Sequence, residues 1–358
     1  MSYHKKICIV VTSLGKGGAE RSSVLLSKML FNQGHQVHLV TIVDVVEYEF
    51  KGELLNLGDI EKGNSIVSKI RKFSVFKSYL KEHNFDFVID NRSRPSFLRE
   101  IIVSRFLYNP KNTIYCVRSY NLDIYFIKSK LIAKLIYKDA FKIVTVSKEI
   151  ENKVINYFGF NNVETIYNPI DQVVLNDTDK SKITDYVLFY GRLVDEVKNI
   201  SLLIESYQKS QLPSKGIDLV ILGNGQDLEK FKEKIKQLNL VNEVHFIPFT
   251  ANPFDYVKLA KFTLLTSHYE GFPRSLLESL ALGTPVISVD CKSGPNEIII
   301  HEHNGLLVEN YNSEALAKAM NRLINDTNLY KTCKANAKKS VEPFSMASIS
   351  NLWKKLLN

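Results

Sequence analysis

Short apolar, β-rich runs recur along the chain, separated by amphipathic stretches of helical period. In the first half, residues 7–12, 36–43, 85–90, 113–117 and 142–146 have the near-continuous apolar character of buried strands, and the segments between them, such as 19–31, repeat apolar positions at helical spacing. After Asn168-Pro169 the stretch 170–184 turns polar, through Asp171, Asn176, Asp177, Thr178 and Asp179, as a linker does. The alternation then resumes. Residues 186–190, 217–222, 243–247, 262–266 and 285–289 predict strands, with helices over 199–209, 227–238, 253–260 and 274–282. Such alternation means parallel sheets with right-handed crossovers. The pattern therefore predicts an α/β protein of two doubly wound domains, 1–168 and 185–340, joined by a linker at 169–184. Residues 341–358, with Met346, Ile349, Trp353 and Leu356 on one face, predict a final helix packing on a neighbouring domain; periodicity does not say which, and a crossing back to the N-terminal domain is the expectation. Ligands of doubly wound sheets bind beyond the carboxyl ends of the strands, so the two domains are expected to face each other across a ligand-binding cleft.

Composition fits this picture. The 358 residues, 45% apolar and 24% charged, can bury two cores and exclude fibrous and disordered classes. No apolar run approaches the roughly 18 to 20 residues of a membrane-spanning helix. Lys5 and Lys6 are followed only by the short run 7–11, too brief for a secretory signal, so the protein is expected in the cytoplasm. Four scattered cysteines (Cys8, Cys116, Cys291, Cys333), with no C-x-x-C spacing, point to free buried thiols rather than disulfides or a zinc site.

Charge is uneven. Residues 1–168 hold 25 Lys+Arg against 16 Asp+Glu, whereas the remainder holds 22 of each, so the whole net charge of +9 falls in the first half. That asymmetry points to a polyanionic partner. Two basic amphipathic helices concentrate it: 66–81, with Lys69, Arg71, Lys72, Lys77 and Lys81, and 128–138, with Lys130, Lys134 and Lys138 at intervals of four. A solvated face is one reading and an anionic membrane surface the other; nucleic acid is set aside because no recognition-helix, RNP-like or zinc-finger pattern is present.

Three segments carry candidate chemistry. Gly15-Lys16-Gly17-Gly18 follows the first strand and opens a helix, so Gly15, Gly17 and Gly18 can bring backbone N–H groups close to a phosphate. Glu20 stands where the dinucleotide fingerprint needs a third small residue, which weakens a nicotinamide-cofactor reading. Arg192, in Gly191-Arg192-Leu193, and Lys198, before Asn199, sit at a strand's carboxyl end, where two cations can neutralise a diphosphate without a metal. The Asp-x-Asp pair of metal-dependent sugar-nucleotide enzymes has its one close match, Asp177-Thr178-Asp179, in the polar linker, so no catalytic metal and no cofactor is expected. In the stretch 268–285, Glu270 falls in a Gly-containing turn and Glu278 about a turn and a half into the following helix. The N–H groups of Phe272, Arg274 and Ser275 lie between these two carboxylates and can bind an anion or sugar hydroxyls. His301-Glu302-His303 is better read as a turn before Asn304-Gly305 than as a metal pair.

Taken in this order, the Gly15–Gly18 loop leading into Ala19-Glu20-Arg21, Gly191-Arg192-Leu193 with Lys198-Asn199, the Glu270-x7-Glu278 segment and Gly283-Thr284-Pro285-Val286-Ile287 resemble the GT-B glycosyltransferases of family 4. The resemblance implies two Rossmann-like domains, the first binding an acceptor and the second a nucleotide-sugar donor such as a UDP-sugar. It implies retention at the anomeric carbon without a protein nucleophile. Arg192 and Lys198 would hold the donor diphosphate, Glu270 would stand at the transferred sugar and Glu278 at the ribose. Backbone groups of Gly271, Phe272 and Pro273 would border the sugar, with the glycine-loop amides at the phosphates. Where the family commonly has a His, this chain has Arg118, a candidate contact to acceptor or donor; Arg92 and Arg94, in Asp90-Asn91-Arg92-Ser93-Arg94 at the end of an earlier strand, are further acceptor candidates, with ordinary salt bridging the equal alternative. The implied acceptor is a glycan or lipid-linked saccharide used in cell-surface polysaccharide synthesis, which would bring the protein to the inner face of the cytoplasmic membrane. A catalytically silent nucleotide-sugar-binding subunit and a related epimerase or phosphorylase are the competing readings.

Overall fold

The structure, a computed structural model, describes residues 4–15, 17–60, 65–171 and 184–358. They divide into one unit of Met1–Pro169 with Met346–Asn358 and a second of Ile170–Ser345.

The first unit is built on a parallel sheet of β1 (Lys6–Val11), β2 (Gln36–Thr41), β3 (Glu53–Asn56), β4 (Phe87–Asp90), β5 (Thr113–Val117), β6 (Lys142–Thr145) and β7 (Val163–Thr165), in spatial order β3-β2-β1-β4-β5-β6-β7. Helices cover both faces of such a sheet, which is why β1 and β2 are buried after their first residue; β1 runs apolar from Ile7 on, whereas β2 buries His38 and Thr41 among its apolar residues. The chain steps one way across the sheet from β1 to β3 and the other way from β4 onward. Between β1 and β4, paired at Ile7 and Phe87, lies the switch point where ligands of such sheets bind.

The helix Gly18–Asn32 packs Val24, Leu26, Met29 and Leu30 onto this sheet. Beside it lies the C-terminal helix Met346–Leu357, whose Ile349, Trp353 and Leu356 join the same core. Gln33 Nε2 ties the two helices by donating to the Ser350 carbonyl at 2.6 Å. The chain thus leaves this unit at Pro169 and its last helix belongs to it again.

The second unit repeats the theme with β8 (Tyr186–Tyr190), β9 (Asp218–Leu222), β10 (Val244–Ile247), β11 (Thr263–Leu265), β12 (Val286–Val289) and β13 (Gly305–Val308), in order β10-β9-β8-β11-β12-β13. Its switch point lies between β8 and β11. Phe189, Ile221, Phe231, Phe262, Ile287 and Met320 fill its core.

Three strands were not expected from the sequence: β3, β7 and β13. Each is an edge strand of three or four residues with one neighbour and half-buried positions, and β3 and β7 also carry polar residues, so none has the fully buried apolar run that marks a central strand. The helix expected over 199–209 begins instead as a short helix Asp195–Lys198, and Asn199, at φ 47°, turns the chain into Ile200–Lys209. Asparagine tolerates that left-handed conformation better than most side chains. His301-Glu302-His303 forms a tight turn closed by the Glu302 N–H on the Gly305 carbonyl at 2.8 Å. Asp177-Thr178-Asp179 lies outside the described residues.

Candidate active site

In the second unit the sequence-predicted residues converge on the carboxyl end of the sheet at its switch point. The turn after β8 is fixed by that after β9: the Gly191 N–H donates to Leu222 O at 3.0 Å and the Leu193 N–H to Asn224 O at 2.9 Å. So close an approach needs glycine opposite it. A Cβ on Gly223 would stand 1.9 Å from the Gly191 carbonyl oxygen, and one on Gly225 2.1 Å from that of Leu193. Gly223-Asn224-Gly225 carries the sequence signal for this contact, because a Gly-x-Gly after a strand marks close backbone approach, and it is absent from the motifs the sequence alone singles out. The turn it supports exposes Arg192, whose side chain has no ion-pair partner among the described residues.

Lys198 ends its short helix and is tied to the neighbouring strand. Its carbonyl accepts from Thr266 Oγ1 at 2.9 Å, and the Val197 carbonyl accepts from the His268 N–H at 2.9 Å. The Lys198 Nζ consequently lies 2.5 Å from Glu270 Oε1, the side chains 17% and 13% exposed. Ser267 Oγ donates to the same oxygen at 2.6 Å. This serine, not anticipated from the sequence, holds the carboxylate from the strand side. The loop carrying Glu270 is clamped in turn by residues after β12: the Glu270 N–H donates to Lys292 O at 2.8 Å and Ser293 Oγ to Gly271 O at 2.9 Å.

Phe272 is buried, its ring edge-on to Phe344 at 5.1 Å, so only its backbone can border a ligand. Pro273 caps the helix Arg274–Ala281. On that helix Glu278 accepts from Arg274 Nη2 at 3.1 Å and is nearly buried. Tyr190, the last residue of β8, donates through its hydroxyl to Ser275 O at 2.7 Å, locking this helix to the strand before Arg192. Arg192, Lys198, Glu270, Gly271, Pro273 and Glu278 thus share one end of one sheet.

The remaining candidates belong to the first unit. Gly15 follows β1, and Gly17 is the N-cap of the helix Gly18–Asn32 without a side-chain cap. The Glu20 carboxylate folds back over this turn, since a Cβ on Gly17 would meet its Oε2 at 2.0 Å. Lys16 lies outside the described residues. Arg118, just past β5, is held by two neutral amides: Nε donates to Asn91 Oδ1 at 2.5 Å and Nη1 to Asn168 Oδ1 at 2.6 Å. Asn91 in turn donates to Ser23 Oγ on the helix after the glycine loop. No carboxylate pairs with Arg118 among the described residues, so its charge is uncompensated locally.

Arg92 and Arg94, expected as acceptor contacts, are turned inward. Asp90 ends β4 fully buried, and a buried carboxylate must be paired. Arg92 Nη2 lies 2.6 Å from Asp90 Oδ2 and 3.1 Å from Glu100 Oε2. Arg94, fully buried, donates to the carbonyls of Asp90, Arg92, Cys116 and Tyr125. Burial pushes the Asp90 carboxyl up, but the two guanidinium groups outweigh it and hold it below the usual carboxylate range. This network braces the end of β4 and leaves Arg118 as the half-buried cation of that sheet end.

The chain resembles known proteins over nearly its whole length. Residues 16–173 match the family described as Glycosyltransferase Family 4, and residues 171–340 match Glycosyl transferases group 1. A Campylobacter jejuni relative, N-acetylgalactosamine-N,N'-diacetylbacillosaminyl-diphospho-undecaprenol 4-alpha-N-acetylgalactosaminyltransferase, is 29% identical, with 97% of each chain covered. The Bacillus subtilis poly(glycerol-phosphate) alpha-glucosyltransferase is 26% identical over 95% of this chain and 49% of its own. Among solved structures, HepE from Anabaena in complex with UDP superposes with a TM-score of 0.76 at 20% identity, covering 98% of this chain and 99% of that one. Two Rossmann-like units, a match to both family halves and whole-length glycosyltransferase relatives place this chain in family 4 of the GT-B glycosyltransferases.

Proposed function

We propose that this glycosyltransferase moves a sugar from a nucleotide diphosphate, a UDP-sugar, to a hydroxyl of a lipid-linked saccharide, with retention at the anomeric carbon and without a metal. The observation that carries the reading is the Lys198–Glu270 pair at the switch point of the second sheet, with Arg192 exposed on the turn after β8.

Cleavage of the sugar–phosphate bond leaves negative charge on the departing diphosphate and positive character on the ring. Groups arranged beforehand to meet both charges lower the barrier most. The Lys198 ammonium has three donors, so it can take a phosphate oxygen while keeping Glu270. Arg192 supplies a planar fork suited to a phosphate. Glu270, fixed by Lys198 and Ser267, stands ready for the ring. Glu278 accepts from the ribose diol, and the backbone of Gly271 to Pro273 borders the sugar. The acceptor hydroxyl attacks from the side the diphosphate leaves, its proton passing to a departing phosphate oxygen, so configuration is kept without a covalent enzyme intermediate.

The donor reading is supported by the UDP held by HepE, and the acceptor reading by the diphospho-undecaprenol saccharide in the Campylobacter relative's name. A lipid-linked acceptor places the reaction at the inner face of the cytoplasmic membrane. In the first unit, Arg118 offers its uncompensated charge to an anionic group of acceptor or donor.

The test is a thermal-shift screen against UDP-, GDP-, ADP- and TDP-sugars, followed by product analysis with an undecaprenyl-diphosphate saccharide. A UDP-sugar should raise the melting temperature, because a ligand that binds only the folded state stabilises it. Transfer should yield the same anomeric configuration as the donor. Inversion, or stabilisation by no nucleotide sugar, overturns the reading.

A further inference from the structure

The helices Phe97–Phe106, Lys130–Tyr137 and Lys148–Phe158 connect β4 to β5, β5 to β6 and β6 to β7. These are three successive steps in one direction, so right-handed crossovers put all three helices on the same face of the first sheet. They touch one another: Arg105 Nη2 donates to Leu135 O at 3.2 Å, and the Lys130 ammonium lies 4.2 Å from the centre of the Tyr157 ring.

Their outer surface is apolar. Leu98, Ile102 and Phe106, four residues apart, form a stripe on the first helix, with Leu98 69% and Phe106 61% exposed. On the second, Leu131 is 82% and Leu135 55% exposed. Single exposed leucines are ordinary, but two adjacent stripes are a feature soluble surfaces avoid unless something covers them.

Cations flank both stripes. Lys128, Lys130, Lys134 and Lys138 fall within eleven residues that contain no acid, and Arg99 and Arg105 are exposed on the first helix. The acids nearby are largely engaged: Glu100 is buried against Arg92 and Arg99, Asp123 lies 3.5 Å from Lys128, and Glu151 pairs with Lys148 at 2.7 Å. Asp139 is the exposed exception.

Bare leucines contribute nothing to a nucleic-acid backbone, and a row of lysines is depleted rather than enriched in the core of a protein interface. An anionic bilayer uses both, the apolar side chains entering the headgroup boundary while lysine stems lie along it with their ammonium groups on lipid phosphates. We propose that this face of the first unit docks on an anionic phospholipid bilayer, with Leu98, Phe106, Leu131 and Leu135 inserted and Lys130, Lys134, Lys138 and Arg105 on the phosphates. The basic amphipathic pattern at 128–138 signalled part of this surface; the stripe on Phe97–Phe106 emerges only from the structure.

Co-sedimentation of the full chain with vesicles of phosphatidylglycerol and phosphatidylcholine tests it. Binding should exceed that to phosphatidylcholine alone and weaken with added salt. Replacing Lys130, Lys134 and Lys138 together by Gln should lower partitioning about a hundredfold, at roughly a tenfold factor per 1.4 kcal/mol and about 1 kcal/mol per lysine. Leu131→Ser with Leu135→Ser should lower it at high salt as well. These side chains are exposed, so melting temperature should hold; should that variant fail to fold, Leu98→Ser with Phe106→Ser gives the same reading on the adjacent helix. Equal binding to neutral and anionic vesicles, partitioning unmoved by the substitutions, or a dimer that the leucine variants convert to monomer overturns the proposal. Sedimentation measures no sugar transfer, so a protein that binds vesicles yet transfers nothing sinks the catalytic reading and leaves this one standing.

Discussion

Lys198 and Glu270 are 72 residues apart in sequence, and their side chains meet at 2.5 Å because β8 and β11 are neighbours across the switch point of the second sheet. The pair is internally neutral, yet each member keeps hydrogen-bonding capacity for a substrate: two further donors on the ammonium and a second oxygen on the carboxylate.

If this pair serves the proposed reaction, Glu270→Gln and Lys198→Ala should each reduce sugar transfer by about 10² to 10³-fold, the loss typical of one preorganised electrostatic group. Initial rates at saturating donor, with melting temperature as the folding control, provide the measurement. Near-normal rates in both variants would show that the chemistry lies elsewhere.

Arg118 leads to a different expectation. Lys cannot serve two amide oxygens in the plane of a guanidinium fork, so Arg118→Lys should keep the charge but lose the aim that Asn91 and Asn168 impose. Transfer should fall in Arg118→Ala and recover only partly in Arg118→Lys, with the change concentrated in KM for whichever substrate carries the anion. Full recovery by Lys would mean that charge alone matters there.

The buried Asp90 network predicts a pH signature. A carboxyl whose folded pKa is depressed stabilises the fold at pH above the unfolded range, and that contribution disappears as pH falls through the folded value. Asp90→Asn, which leaves Arg92 and Arg94 buried without their carboxylate, should cost about 3–5 kcal/mol at neutral pH. Denaturant unfolding of both proteins should show the gap closing below about pH 4, the ordinary carboxylate range. A gap constant with pH would contradict an ionised, paired Asp90.

Metal independence is open to a direct measurement. Transfer should proceed in EDTA at the rate seen without it, because the proposed charge neutralisation uses Arg192 and Lys198. A strict requirement for added Mg or Mn would assign that role to a cation instead.

Trp353, nearly buried in the core of the first unit, makes the last helix part of that fold. Trp353→Ala should destabilise it by about 3–5 kcal/mol. Calorimetry should show a lowered transition for the first unit; an unchanged thermogram would mean the helix only rests on the surface.

The central strands and the switch to a second α/β unit were legible in the sequence because parallel strands buried on both faces read as largely apolar runs: β1 from Ile7 on and β8 throughout, with Ser288 the one polar residue of β12. The candidate chemistry was legible for a related reason: Gly191-Arg192, Glu270 and Glu278 follow strand ends or helix starts, where residue type and local geometry are linked. Contacts between distant segments were not legible. Lys198 on Glu270, the amides that aim Arg118, and the carbonyls of Cys116 and Tyr125 that draw Arg94 inward depend on which strands become neighbours. A basic residue after a strand is written the same way whether it faces solvent or neutralises a buried carboxylate. Burial decides between the two, and burial is set by packing around the residue rather than by its neighbours in the chain.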